Sequence, residues 1–271
     1  MKPKILFTDL DDTLLNSKKI VSKDNREAID LMLDAGHKLV LNTGRPLLSC
    51  KSVTDQLDLK RNGCFISSFN GGLIYDCYTG KTLYKRTISL EYTRHIFKET
   101  ARAGIYCQTY SNEGVLAREM TSELSHYVSE THTPYKIVQD LPDHLRDEPV
   151  KILAVHMSDN RSVLDAYRTR LSGWARKKVS TFYSDPWYLE HVPYGISKGS
   201  AISFLCKHLN IPISSTLAVG DEENDIAMIR TAHIGAAMSN ATSQVKTCSN
   251  YITKNDCNHS GVAEVIHRYI I

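Results

Sequence analysis

Short apolar runs alternate with amphipathic stretches at the start of the chain. The runs are "KILFT" (4–8), "KLVLN" (38–42) and "CFISS" (64–68). Each has the length and near-continuous apolar character of a strand buried on both faces. Between the first two, Ser22 stands where it can cap a helix running to Ala35. Ala28, Ile29, Met32 and Ala35 then share one face, and Gly36 ends the helix. Between the next two, Pro46 suits the first turn of a helix in which Leu47, Cys50, Val53 and Leu57 keep helical spacing. Strand–helix–strand–helix–strand predicts a parallel α/β sheet. Asn70-Gly71-Gly72 in "FNGGLIYD" then predicts a hairpin.

The rhythm changes between about 83 and 188. The pattern predicts helices near 89–103, 121–131 and 161–172. Strands are expected near 105–109, 115–118, 150–157, 179–184 and 187–191. Parallel α/β character returns with a helix over 197–209, the strand "TLAVG", a short helix after Glu223, the strand "HIGAAM" and a terminal helix near 262–269. The expected architecture is a Rossmann-like parallel-sheet core, residues 1–84 and 190–271, split by an inserted α+β domain, residues 85–189.

Composition narrows the function. The 271 residues are 42% hydrophobic and 23% charged, as in an ordinary globular protein. The net charge of +3 is too small to suggest a nucleic-acid partner, and the densest basic cluster, "ARKKV" (175–179), reads as a solvated face. No apolar stretch is long enough to span a bilayer. "MKPKILFTD" reaches Asp9 before a signal-peptide core forms, so the start reads as a mature one. Seven cysteines with no CxxC pair argue against a zinc site or disulfide framework, and for reduced thiols in a cytoplasmic protein.

The candidate chemistry sits after the strands. Ligands of an open parallel sheet bind at its carboxyl edge. Asp9 and Asp11 follow the first strand, Thr43 and Gly44 the second, Asn70 the third, and Asp221, Asn224 and Asp225 follow "TLAVG". Lys198 opens the preceding helix. Asp9, Asp11 and Asp221 offer hard oxygen ligands, which suit Mg²⁺, and such a cation would offset the crowded carboxylates. Thr43, Lys198 and backbone N–H groups are donors suited to phosphate oxygens. A carboxylate beside Mg²⁺ can attack phosphorus, and a second can act as acid and then base.

Taken together and in order, "DLDDTLL", "NTGRP", "GISKGSAI" and "VGDEENDIAMI" resemble the haloacid dehalogenase (HAD) superfamily of phosphatases. "FNGG", "LEHVPYGISKG" and the size and place of the insertion resemble its Cof-like subgroup, which carries a large α/β cap. The resemblance implies that Asp9 is nucleophile and Mg²⁺ ligand. It makes Asp11 the general acid/base, with its backbone carbonyl a second ligand. It places Leu10 (through its N–H), Thr43 and Gly44 around the phosphoryl group, and has Asn224 contact the phosphate or orient the site. It has Lys198 neutralise that group and the nucleophile, Asp221 ligate the metal, and Asp225 complete the metal site from behind the direct ligands or through water. One departure stands out: Asp12 occupies the position where the family usually has Gly. Asn42 replaces a commonly small residue and has no assigned role.

Several positions keep two readings. Arg45 is a substrate contact or a surface partner of Asp55. Thr43 and Lys198 taken singly could be a strand end and a solvated lysine, and Asp12 and Asp225 could be turn and cap residues. Tyr183, Trp187 and Tyr188 line a substrate face or pack the strands. Glu190 is hinge or substrate contact, and His191, like the other histidines, is surface or satisfied core. Lid closure is expected about hinges near 82–87 and 188–194. The expected activity is hydrolysis of a small phosphomonoester, a sugar phosphate or phosphorylated cofactor, with neither nucleic acid nor membrane as partner. A phosphomutase, a phosphorylation-responsive switch and a non-catalytic sugar-phosphate binder are the alternatives.

Overall fold

The computed structural model describes residues 3–157 and 161–271. By their contacts these divide into two units. One holds 3–44, 51–84 and 197–271, and the other 45–50 and the described part of 85–196.

In the first unit, β1 (Ile5–Thr8), β2 (Lys38–Asn42) and β3 (Cys64–Ser68) coincide with the three apolar runs. All but Lys38 are buried, as a strand covered on both faces requires. Helix α1 (Lys23–Asp34) starts where Ser22 accepts a hydrogen bond from the Asn25 N–H. Ala28, Ile29 and Met32 are buried, but Ala35 lies past the last turn and is exposed. The stretch after Pro46 is one tight 3-10 turn, Leu47–Cys50, followed by α2 (Lys51–Leu57). The hairpin forms: β4 (Leu73–Asp76) runs antiparallel to β3, and β5 (Lys81–Lys85) lies at the sheet edge.

The second unit contains α3 (Leu90–Arg102), β6 (Tyr106–Ser111), β7 (Gly114–Ala117), α4 (Ser122–Thr131), β8 (Tyr135–Ile137), β9 (Ile152–Val155), α5 (Ser162–Ala175), β10 (Val179–Asp185) and β11 (Tyr188–Pro193). The strands form a six-stranded sheet in the order β10-β11-β9-β6-β7-β8. Period-2 alternation divides its faces. Cys107, Ala154 and Leu189 stand in register and join Ile96, Leu164 and Tyr167 in one apolar cluster. Tyr183 is part of that cluster and donates to Asp165 Oδ1 at 2.7 Å, so it is packing. Tyr188 and Trp187 meet the Tyr127 and His126 rings edge-on.

Two expectations change here. Residues 188–193 are not a connector, because β11 pairs on one side with β10 and on the other with β9; the units divide after Ile196 rather than at 189. Glu190 is therefore no hinge. It lies inside β11, 3% exposed, in an ion pair at 2.8 Å with Lys151, which is 1% exposed.

His191 is core. It is fully buried, with Nε2 3.0 Å from the Tyr167 hydroxyl. Burial pushes its pKa down to about 4 from the ordinary 6.5. The folded state thus excludes a proton that the unfolded chain binds, and stability drops as pH falls from 6.5 toward 4. The full loss is on the order of 3 kcal/mol. Acid unfolding followed by circular dichroism is expected to show this one-proton slope in wild type. In His191→Gln the slope is reduced; an unchanged profile would remove His191 as its source.

The chain returns to the first unit with α6 (Lys198–Leu209), β12 (Thr216–Gly220), α7 (Ile226–Thr231), β13 (Ile234–Ala237), α8 (Ser243–Cys248), β14 (Tyr251–Ile252) and α9 (Gly261–Tyr269). The eight-stranded sheet runs β14-β13-β12-β1-β2-β3-β4-β5. Thr8 is in parallel register with Val219 and Leu41, and Asn42 with Ser67. The carboxyl ends of β12, β1, β2 and β3 therefore share one edge. No helix among the described residues is long and apolar enough to cross a membrane.

Candidate active site

The site begins where β1 stops. The Asp9 N–H donates to the Val219 carbonyl at 3.0 Å, and the chain then makes one wide turn closed by Leu15 N–H to Leu10 O at 2.8 Å. Leu10 and Leu14 anchor this turn in the core. Asp11 is extended, and Asp12 is left-handed, φ 53° and ψ 14°. The position needs the backbone that Gly adopts freely, and Asp supplies it at some strain. Asp12→Gly is expected to raise stability by no more than about 1 kcal/mol in a denaturant titration. A destabilised glycine variant would show instead that the Asp12 side chain holds the turn.

The centre of the site is Lys198. Ser197 caps α6, accepting from the Ser200 N–H at 3.2 Å while Ser200 Oγ accepts from the Ser197 N–H at 3.0 Å. Lys198 on the first turn is fully buried, not solvated. Its Nζ lies 2.5 Å from Asp9 Oδ1 and 2.5 Å from Asp225 Oδ1. Asp225 Oδ2 accepts from the backbone N–H groups of Asp221 at 2.9 Å and Glu222 at 3.1 Å. Both its oxygens are thus engaged, and it braces Lys198 as well as completing the turn after β12. Gly220 makes room for it: a Cβ there would stand 2.4 Å from Asp225 Cγ.

Asp221 accepts from Thr13 Oγ1 at 2.6 Å. One carboxylate oxygen from each of Asp9, Asp221 and Asp225 lies within 4.8 Å of the others. Hard oxygen donors at this spacing fit a divalent cation. Asp11 is outside this set; its carboxylate pairs with Lys19 at 2.9 Å.

The electrostatics follow from the packing. Burial pushes the Asp9 carboxyl up to about 7, Lys198 opposes this, and the Asp225 and Asp11 charges add to it. Burial also raises Asp221 well above the carboxylate range, helped by Asp225 and Asp9. Burial opposes the charge on Lys198, but Asp225 and Asp9 outweigh it and hold its pKa above the ordinary value. The net result is a buried ammonium among crowded carboxyl groups that tend to hold their protons, and a bound cation would favour their charged forms.

Thr43, Gly44 and Asn224 lie on the same edge. Thr43 is buried, its N–H donating to Ser67 O at 2.8 Å. Gly44 is half-buried beside it. Asn224 is buried and donates through Nδ2 to Asn70 Oδ1 at 3.0 Å. Arg45 is only 8% exposed and groups with the second unit. Two contributors had no expected role. Thr13 lies inside "DLDDTLL". Asn42 was noticed only as an unusual residue; its Nδ2 donates to the Lys198 carbonyl at 3.0 Å and so fixes the lysine's turn against β2.

Comparison with known proteins shows the family. The haloacid dehalogenase-like hydrolase family matches residues 6–266. A Streptococcus pyogenes serotype M6 protein, named provisionally as a phosphatase, is 30% identical over 273 residues, covering the whole of both chains. A Bacillus subtilis 5-amino-6-(5-phospho-D-ribitylamino)uracil phosphatase is 28% identical, over 99% of this chain and 96% of its own. A crystal structure of a haloacid dehalogenase-like hydrolase from Bacteroides thetaiotaomicron superposes with a TM-score of 0.87 at 29% identity, covering 98% and 99% of the two chains.

Proposed function

This chain belongs to the haloacid dehalogenase-like hydrolases, and from that membership we propose that it is a Mg²⁺-dependent phosphatase of small phosphomonoesters that works through an aspartyl-phosphate on Asp9. The observation that carries the reading is Lys198, fully buried between Asp9 and Asp225 beside Asp221. A fold has no structural need to bury an ammonium among three carboxylates, since burying such charges is expensive.

Asp9 Oδ attacks phosphorus, and the bond from phosphorus to the leaving alcohol oxygen breaks. Asp11 gives that oxygen its proton. Asp11 then takes a proton from water as the water attacks the same phosphorus. The bond to Asp9 breaks, releasing phosphate and restoring the carboxylate. Lys198, Thr43, Asn224 and the N–H groups of Leu10 and Gly44 hold the phosphoryl oxygens; Arg45 is assigned to the substrate. Asp9, Asp221 and the Asp11 carbonyl are the direct metal ligands in this reading, with Asp225 acting through Lys198 and water. The bound cation supplies Lewis-acid stabilisation of charge on the phosphoryl group.

A non-catalytic binder would follow if Asp12, standing where the family usually has Gly, spoiled the loop. Asp12 instead adopts the left-handed backbone within a closed turn, which supports catalysis. Asp12→Gly should accordingly leave turnover unchanged.

The test is phosphate release from a panel of sugar phosphates and phosphorylated cofactor precursors, with the ribitylaminouracil phosphate of the Bacillus subtilis relative among them. Turnover with Mg²⁺ that stops in EDTA is the expected result. Folded protein that releases no phosphate from any ester, or releases it equally in EDTA, would rule the reading out.

A further inference from the structure

The loop between β3 and β4 carries more strain than joining two strands requires. Phe69 (φ 51°), Asn70 (φ 56°) and Gly71 (φ 95°) are left-handed in succession. Asn tolerates this region, but a bulky residue such as Phe strongly disfavours it. A four-residue hairpin loop is ordinarily built around a type I turn, which asks for no such run. Asn70 is also fully buried, and its Nδ2 has no hydrogen-bond partner. Strained backbone and an unpaired buried amide are features that a surrounding site sustains.

The loop meets each part of the phosphate pocket. The Asn70 N–H donates to Thr43 O at 2.9 Å. Asn70 Oδ1 accepts from Asn224 Nδ2 at 3.0 Å, across 154 positions of sequence. A Cβ on Gly71 would stand 2.5 Å from the carbonyl oxygen of Ser197, the residue before Lys198. Thr43 follows β2, Asn224 follows β12, and Lys198 opens α6. The left-handed turn brings the Asn70 amide to Asn224 while its own backbone holds Thr43.

We propose that Asn70 is the positioning residue of the phosphate pocket: it fixes the Asn224 amide relative to Thr43 and Lys198, so that donors from three separate elements converge on one phosphoryl group. This rests on the phosphatase reading of the same site. Asn70 acts on the part common to all substrates, so its loss should lower kcat/KM by a similar factor for every ester, whatever the leaving group. Small misplacements of a catalytic group reduce rates by about ten- to a hundredfold.

Asn70→Gly is the discriminating variant, because Gly keeps the left-handed backbone and its N–H and removes only the side chain. Its kcat/KM is expected to fall at least about tenfold across the panel, with its melting temperature close to wild type. In an Asn224→Ala background the same change should add little, since the two residues act as one unit. Losses that add in full, that follow the leaving group, or that merely track a fall in melting temperature would overturn the proposal.

A second readout separates this inference from the phosphatase reading: the rise in melting temperature caused by inorganic phosphate with MgCl₂. If wild type binds phosphate but turns over no ester, the phosphatase reading fails alone. Positioning then stands if the Asn70→Gly shift requires about tenfold more phosphate, and falls if it does not. A wild type that neither turns over nor binds phosphate overturns both.

Discussion

Asp9→Asn is expected to lower phosphate release by more than about a thousandfold while leaving the protein folded and, without metal, more stable at alkaline pH. The rate loss follows from the chemistry: a carboxamide cannot form the aspartyl-phosphate, and removing the nucleophile of a covalent mechanism removes most of its acceleration. The stability gain follows from burial. With its pKa raised to about 7 from 3.8, Asp9 binds a proton in the folded state that the unfolded chain has already lost. Its folded state is therefore favoured below about 4, and that advantage disappears as pH rises through 7. Asn has no such charge to desolvate, yet its Oδ1 can still accept from Lys198. Chemical denaturation in EDTA at pH 6 and pH 8 should show the variant gaining on wild type as pH rises. A variant that retains a hundredth of wild-type turnover would remove Asp9 as the nucleophile. One that loses stability at pH 8 would contradict the assigned electrostatics.

The frame that holds this site was partly legible in the chain. β1, β2, β3 and β12 could be placed because a strand covered on both faces must be apolar throughout. α1 could be placed because Ser22 caps it as its side-chain chemistry suggests; α3, α4 and α6 could be placed from helical spacing, and the structure adds that Ser89, Thr121 and Ser197 cap them. β8 and β14 could not. β8 is exposed along its length and β14 has only two residues, so neither carries an inside–outside pattern. At the site, the sheet-edge rule could gather Asp9, Thr43 and Asp221. It could not show that Lys198 is fully buried, that Asn42 holds the lysine's carbonyl, or that both oxygens of Asp225 are engaged. Those facts depend on partners far apart in sequence, and Lys or Asp reads the same whether solvated or paired. Glu190 shows the same limit: its buried partner Lys151 lies 39 positions away.

Lys198→Met should be the most destabilising single change at the site. Met retains much of the side-chain volume, so little packing is lost, but the Asp9 and Asp225 carboxylates lose the ammonium that lies 2.5 Å from each. Breaking a buried ion pair from one side costs about 3–5 kcal/mol, because the remaining charge stays desolvated. For a unit of this size that is a fall of about 10 °C or more in melting temperature. Activity should vanish with it, since in the proposed mechanism Lys198 both neutralises the phosphoryl group and places Asp9. Desolvation and Coulomb attraction pull in opposite directions here, and companion substitutions separate them. If unpaired charge is the cause, adding Asp9→Asn and Asp225→Asn to Lys198→Met should restore most of the lost melting temperature. Those changes remove the carboxylates that lacked a partner. If lost packing is the cause, the triple variant will be no better than the single one. Mg²⁺ gives a second separation. A cation among Asp9, Asp221 and Asp225 takes over part of the ammonium's work, so it should raise the melting temperature of Lys198→Met more than that of wild type. An equal rise in both would place the metal where it does not feel the lysine's charge, and would move it away from Asp9.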